Sequence, residues 1–176
     1  VVYRTLLSFI TLATIVWWKT GSIRLPTLDV GHIALAGLLT AFHWATFFAS
    51  AQLSNVSTCL AGMSTTALWT SILEPVFFKK RFEWKEAALA LVVCAGLVII
   101  YWSDFSMAFG LSISIVSAIA CSLFSIINRQ LVTRQSAMFL TTWEMGFACA
   151  GSLLAIPLLQ HFAMVKTTHI PLPQGW

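Results

Sequence analysis

Residues 108–127 read AFGLSISIVSAIACSLFSII, a run of twenty residues without one charged side chain. At 1.5 Å per residue, an α-helix of this length covers about 30 Å, the thickness of the hydrocarbon core of a bilayer. The run therefore predicts a transmembrane helix. Five further apolar segments of similar length occupy residues 1–18, 31–51, 56–78, 86–102 and 138–160. We accordingly predict an all-α membrane protein, a polytopic bundle of transmembrane helices.

The overall composition agrees with a bilayer environment. Of the 176 residues, 59% are hydrophobic and 9% are charged, with a mean hydropathy of +0.87. A soluble domain would carry about 25% charged residues. The net charge of +4 lies in short loops, without the basic and aromatic platform that binds nucleic acid. The lipid bilayer is therefore an expected partner, and nucleic acid is not.

The positive charge of the loops alternates along the chain. Basic residues occupy the loops 19–30, 79–86 and 128–137, in the form of Lys19, Arg24, Lys79, Lys80, Arg81, Lys85, Arg129 and Arg134. The loops near 52–55 and 103–106 carry none. Because basic loops stay on the cytoplasmic side, loops 19–30, 79–86 and 128–137 are predicted to be cytoplasmic.

Small and hydroxyl side chains recur at four-residue spacing in two of the predicted spans. These are Ser57, Ala61, Thr65 and Thr58, Gly62, Thr66, Thr70 in one span, and Ser114, Ala118, Ser122 and Ser117, Cys121, Ser125 in the other. Such ridges allow close helix packing and interhelical hydrogen bonds in lipid. Two interpretations stay open, either packing alone or a bundle whose ridges line a polar cavity.

Four ionisable residues of particular interest, Arg4, His43, Glu74 and Glu144, fall inside predicted spans, where charge is expensive and often functional. Arg4 either faces protein or water within the bilayer or extends to the outer interface. His43 lies about 12 Å from the outer end of its span, and it is either a neutral histidine bonded to Ser or Thr or part of a substrate or proton site. Glu144 lies about a turn and a half from the cytoplasmic side, with a functional and a structural pairing role equally open.

Glu74 and Pro75 stand together near the cytoplasmic end of the third span. Proline removes a backbone donor, which predicts a kink at Pro75. Glu74 either pairs with Lys79 or another loop cation, or takes part in gating. The four cysteines lack CxxC spacing and a nearby histidine ligand, so we expect no metal and no cofactor.

The first and last spans share a short motif. Tyr3-Arg4 and Trp143-Glu144 each place an aromatic residue before a charged one, about a dozen apolar or small residues from the far end of the span. By the charge rule the two spans run in opposite directions, five helices apart, as an inverted five-helix repeat predicts. This places most of a first repeat, with four helices, in residues 1–105. Residues 106–176 then begin a second repeat, with two helices and an external loop.

Several stretches between residues 41 and 102 resemble one family. Phe47–Ser57 looks like its turn between two helices, and Thr65–Pro75, Glu83 and Ala95–Tyr101 look like the closing pair of its first repeat. On these residues the chain resembles the drug/metabolite transporter superfamily, in particular its EamA-type members. Arg4 resembles an arginine often found in the second helix of that family. The chain departs from the family pattern in the position of Glu74-Pro75.

The resemblance implies ten helices in two inverted repeats, of which this chain would hold the second to the seventh. It also implies a secondary-active transporter of a bacterial inner membrane, not an enzyme, that exports or exchanges a small metabolite by alternating access. Arg4, His43 and Glu144 are then the expected substrate-binding groups, with Trp44 and Phe47 as aromatic walls. Substrate identity, proton coupling and oligomeric state stay open.

Two other classes of function fit the same topology. A membrane-embedded enzyme would need His, Asp or Glu side chains clustered at one membrane face, and the sequence contains no HxxxH or nucleophile-elbow motif. A non-transporting helical scaffold would explain the spans but not Arg4, His43 and Glu144 within them.

Overall fold

A computed structural model describes residues 1–24, 29–79, 84–103 and 107–161, apart from the side chains of 86, 87, 90, 94, 100, 101, 103 and 157–161. These residues form seven helices and no strand: α1 (Val2–Thr20), α2 (Val30–Leu53), α3 (Val56–Met63), α4 (Thr66–Phe78), α5 (Trp84–Ser103), α6 (Ala108–Leu131) and α7 (Ala137–His161). The prediction of an all-α protein is confirmed. Parts of the predicted loops 19–30 and 79–86, and the predicted external loop after α7, lie outside the described residues.

Four described segments are long and apolar enough to cross a membrane: Val30–Leu53, Val56–Phe78, Ala108–Leu131 and Ala137–Ile156. They confirm a polytopic membrane protein. Helices α1 and α5 have 19 and 20 residues, respectively, but neither is among these four apolar segments. The charges of Arg4 and Lys19 lower the hydropathy of α1. Crossing by α1 and α5 therefore stays a prediction.

The third predicted span is interrupted at Ser64 and Thr65, whereas α4 continues through Pro75. Ser64, Thr65 and Thr66 each donate a side-chain hydrogen bond to the carbonyl three residues earlier, at 2.6, 2.7 and 2.6 Å. Hydroxyls that bond locally to the backbone compete with the regular helix ladder. Three in succession therefore explain why the break falls here.

Helix α2 lies at the centre of the bundle, packed against α6 and α7. It runs antiparallel to α6, because His43 contacts Ser117 while Ser50 donates to the carbonyl of Gly110 at 2.7 Å. Helices α3 and α4 run parallel to α6, because Ser114 donates to the carbonyl of Cys59 at 2.5 Å and Ser122, further along α6, donates to the carbonyl of Thr66. Span two thus runs opposite to spans three and five, as the loop charges predict.

Helix α7 packs against both α2 and α1. It runs parallel to α2, because Gly37 lies against Glu144 while Ala41 lies against Gly151. A Cβ on Gly37 would lie 2.7 Å from the carbonyl oxygen of Glu144, so the two backbones almost touch there. The Phe9 ring lies 6.1 Å from that of Trp143, whereas Arg4 reaches Trp44, further along α2. Helix α1 therefore runs antiparallel to α2 and α7.

The small-residue ridges are used for packing where the structure describes them. A Cβ on Gly62 would lie 2.5 Å from Oγ of Ser114, and Oγ of Ser122 donates to the carbonyl of Thr66 at 2.9 Å. These contacts hold α3 and α4 against α6 and favour the packing interpretation of the ridges.

One end of the bundle joins the predicted cytoplasmic loops. At this end α2, α6 and α7 pack together through a buried apolar cluster that consists of Ile33, Ala36, Ile127, Leu131 and Leu140. Beyond it, Arg134 reaches Asp29 at 3.4 Å and Arg129 pairs with Glu74. We call this the basic-loop end. Its position on the cytoplasmic side stays a prediction.

Candidate functional site

Arg4 lies over the indole ring of Trp44, with its guanidinium carbon 4.3 Å from the ring centroid. This is the geometry of a cation–π interaction. Trp44 is nine residues from the end of α2 at Leu53, which corresponds to about 14 Å along the helix. Arg4 is therefore held within the bundle at mid-depth rather than extended to the helix end. Arg4 nevertheless remains exposed.

His43, the residue before Trp44, faces α6. Its Nδ1 lies 2.9 Å from Oγ and 3.1 Å from the carbonyl oxygen of Ser117, and the Ser117 hydroxyl donates to the carbonyl of His43 at 2.8 Å. The two residues are buried. The structure thus shows the bonded arrangement, one of the two alternatives that the sequence leaves open for His43.

Phe47 lies one turn beyond His43 on the same face of α2. The two rings have centroids 6.2 Å apart, and the ring of Phe124 of α6 lies 6.1 Å from that of His43. The predicted site residues of α2 therefore form two neighbouring groups at the same depth. Trp44 holds Arg4, while His43 packs towards α6 and Phe47 packs beside its ring.

Glu144 is placed apart from both groups. It lies seven residues into α7 and level with Gly37 of α2, so it is about 10 Å nearer the basic-loop end than Arg4 and Trp44. Its side chain is 4% exposed and accepts a hydrogen bond from Nδ2 of Asn128 at 3.1 Å. Glu144 and Arg4 thus occupy different depths of the bundle.

Glu74 pairs with Arg129 in the last turn of α6, and not with Lys79. The guanidinium of Arg129 also lies over the ring of Phe78, 5.4 Å from its centroid. Next to this pair, at the basic-loop end, is a cavity of about 510 Å³ that is lined in part by Asp29, His32 and Phe78.

A family model confirms the type of protein. The model of the EamA-like transporter family matches residues 1–102, more than half of the chain. The chain belongs to the EamA-like transporter family. It is an integral, multi-pass membrane protein of a family that transports small solutes. Neither the curated proteins nor the solved structures include a significant match to it.

The match to the EamA-like family covers part of the predicted site. Arg4, His43, Trp44 and Phe47 lie within the matched residues, together with Glu74 and Pro75. Glu144 lies beyond them. Its role is therefore argued below from its contacts alone.

Two partners of the ionisable residues in this EamA-like chain, Ser117 and Asn128, were not predicted, whereas Arg129 is one of the loop cations that were open as partners of Glu74. Ser117 was one of many small residues in its span. Asn128 and Arg129 follow directly after the predicted span 108–127, within the predicted loop 128–137, whereas α6 extends to Leu131. A polar residue at the end of a span, opposite a buried carboxyl, is the signal that could have identified Asn128.

The described part of the EamA-like chain contains no group of three or more His, Cys, Asp and Glu side chains that could hold a metal ion. Cys59, Cys121 and Cys149 are free thiols. The side chain of Cys94 lies outside the described residues.

Proposed function

We propose that the protein is a secondary-active transporter that exports or exchanges a small metabolite by alternating access, with Arg4 and Trp44 at the substrate site. The observation that carries this proposal is the guanidinium held on an indole ring at mid-depth of the bundle. Charged side chains at such depth are rare in membrane proteins and are commonly part of a substrate or ion pathway.

The chemistry of Arg4 indicates the kind of substrate. Arginine presents five N–H donors in a planar fork that matches a carboxylate or a phosphate. The exposed side of the guanidinium is available for such a group, since the indole of Trp44 covers only one face. We therefore expect a substrate with an anionic group, next to an apolar part that the aromatic walls of Trp44 and Phe47 would contact.

Alternating access requires that the bundle open at one end while it closes at the other. The pairs Glu74–Arg129 and Asp29–Arg134 join separate helices at the basic-loop end. Opening towards the cytoplasm would break these pairs and separate the apolar cluster beneath them.

The antiparallel packing of α1 on α7 supports the inverted repeat, and with it the division into residues 1–105 and 106–176.

Flux into vesicles tests the proposal. The full-length protein is reconstituted and offered a panel of amino acids, nucleotide-linked sugars and cofactors on one side. We expect gradient-dependent movement of anionic members of the panel, which are recovered unchanged. Chemical conversion of a panel compound would instead indicate a membrane-embedded enzyme. Absence of flux for every compound would contradict transport and favour a scaffold.

The Glu74–Arg129 pair gives a charge-exchange prediction. We expect Glu74→Arg and Arg129→Glu each to change flux by up to about fivefold, because a partly exposed pair contributes at most about 1 kcal/mol. The double exchange should restore flux, since the opposite charges again face each other. Lys79→Glu is the control, and it should leave flux unchanged because Lys79 is not the partner of Glu74. A double variant with no recovery would contradict a role of the pair in closure.

His43 gives a second prediction. We expect His43→Ala to lower flux severalfold without preventing membrane insertion, because the ring positions α2 against Ser117 beside the substrate site. His43→Gln can still donate to the carbonyl of Ser117 and should retain more flux. Thr46→Ala, one turn away on α2 with only local hydrogen bonds, is the control. Wild-type flux in His43→Ala vesicles would exclude the role.

A further inference from the structure

Two buried oxygen atoms at the α6–α7 contact lack a hydrogen-bond donor. They are Oε1 of Glu144 and Oδ1 of Asn128. Their groups are already joined by one bond, from Nδ2 of Asn128 to Oε2 of Glu144 at 3.1 Å. A buried acceptor without a donor is destabilising by about 1–3 kcal/mol, and such atoms are rare in folded proteins. Two such unpaired acceptors on side chains that already contact each other call for a common explanation.

No positive charge compensates Glu144 in the described part of the chain, where it forms no ion pair. The other titratable side chains of α1, α2 and α6 have other partners or are exposed. Arg4 lies on Trp44, His43 bonds to Ser117, and Arg129 pairs with Glu74. Arg134, just after α6, pairs with Asp29, and the exposed side chains are Tyr3, Lys19 and His32. Cys121 and Cys149 are free thiols. An ionised carboxyl that is 4% exposed and unpaired would be strongly disfavoured.

We propose that Glu144 carries a proton on Oε1 and donates it to Oδ1 of Asn128, and that this acid–amide pair is the proton-binding site of the transporter. A carboxylic acid and a primary amide can join through two hydrogen bonds, one in each direction. The amide already donates to Oε2. A single proton on Oε1 would supply the second bond and satisfy both orphan oxygens at once.

The coupling step rests on the transport proposed above. One proton binds the carboxylate from water to form the neutral acid, and its release to water restores the carboxylate. Glu144 lies about 10 Å into α7 from the basic-loop end. Opening of that end would bring water to the pair and let the proton leave. Closing over an ionised Glu144 would bury an unpaired charge, so the closed bundle requires the proton.

Infrared spectroscopy of the full-length protein in lipid nanodiscs tests the protonated pair without any substrate. At neutral pH we expect the carbonyl band of a protonated carboxyl, sensitive to exchange into D₂O. The band should be lost in Glu144→Gln and retained in Glu74→Gln, which removes a carboxyl already paired with Arg129. In Asn128→Leu the band should move to the higher frequency of a carboxyl without that hydrogen bond.

Three results would overturn the pair: no such band in the wild type, a band that survives Glu144→Gln, or a band that Asn128→Leu leaves in place. The coupling step is tested with the panel compounds that the wild type moves. An imposed proton gradient should change their flux in the wild type but not in Glu144→Gln, and gradient-independent wild-type flux would overturn coupling. If no compound moves at all, both proton coupling and the proposed transport function are contradicted. The infrared result still decides whether Glu144 is protonated and bonded to Asn128.

Discussion

Arg4→Leu is expected to reduce substrate flux roughly thirtyfold while the protein remains folded in the membrane. A hydrogen bond between charged groups, here the guanidinium and the anionic group of the substrate, contributes about 2 kcal/mol, and each 1.4 kcal/mol corresponds to a factor of ten. The contact with Trp44 holds the guanidinium at the position where we propose that an anionic group binds. Leucine removes both the cation and the donors. The folded bundle should tolerate the change, because Arg4 is exposed and apolar side chains suit this depth of the bilayer.

The experiment compares initial flux in vesicles with equal amounts of reconstituted protein. Arg4→Lys should give intermediate flux, because a lysine keeps the charge but lacks the planar fork. Trp44→Phe should retain more flux than Trp44→Leu, since a phenyl ring still supports a cation. Lys19→Leu removes an exposed cation from the other end of α1 and serves as the matched control. Wild-type flux in Arg4→Leu would remove Arg4 from the substrate site.

Gly37→Ala is expected to destabilise the bundle by about 1–3 kcal/mol, the usual effect of overpacking. A Cβ at this position would lie 2.7 Å from the carbonyl oxygen of Glu144, 2.7 Å from Cβ of Phe147 and 3.2 Å from the amide nitrogen of Ala148. Most of these atoms are backbone, so α2 and α7 would have to move apart. Close approach at small residues is a main source of helix association in lipid.

Thermal unfolding of the full-length protein in detergent measures this effect. Gly31→Ala is a matched control on the same helix, because a Cβ there would meet no heavy atom within 4 Å. It should be neutral or slightly stabilising, since alanine restricts the unfolded chain more than glycine does. Equal melting temperatures of the two variants would contradict the close α2–α7 contact.

The main elements of the fold were predictable because they depend on composition along the chain. Apolar runs identify helices in lipid, and the predicted starts of the second to sixth segments agree with helix starts to within two residues, from Val30 of α2 to Ala137 of α7. The interruption at Ser64 and Thr65 was not predicted. It depends on which carbonyl each hydroxyl bonds, and hydroxyl residues within spans commonly leave the helix intact.

The candidate site was predictable only in part. Arg4, His43 and Glu144 stand out because ionisable groups are rare in spans. Their partners could not be inferred, because pairing depends on the rotation and the relative height of neighbouring helices. In a soluble protein an amphipathic stripe reveals the buried face of a helix. In lipid both faces are apolar, so α2 carries no stripe that would indicate that His43 faces α6 while Trp44 faces Arg4.

The sequence by itself thus determined a helical membrane protein of the EamA-like family, the approximate limits of most helices and the few residues that carry charge or a titratable ring within them. The reason is that transfer into lipid depends on the residues of each segment alone. Only the tertiary structure decided that Arg4 rests on Trp44, that Ser117 holds His43, and that Glu144 faces Asn128 instead of Arg4. Close packing at Gly37, Gly110 and Gly146 sets the height of α7 against α2, of α6 against the end of α2 and of α1 against α7, respectively, and these heights decide which side chains meet.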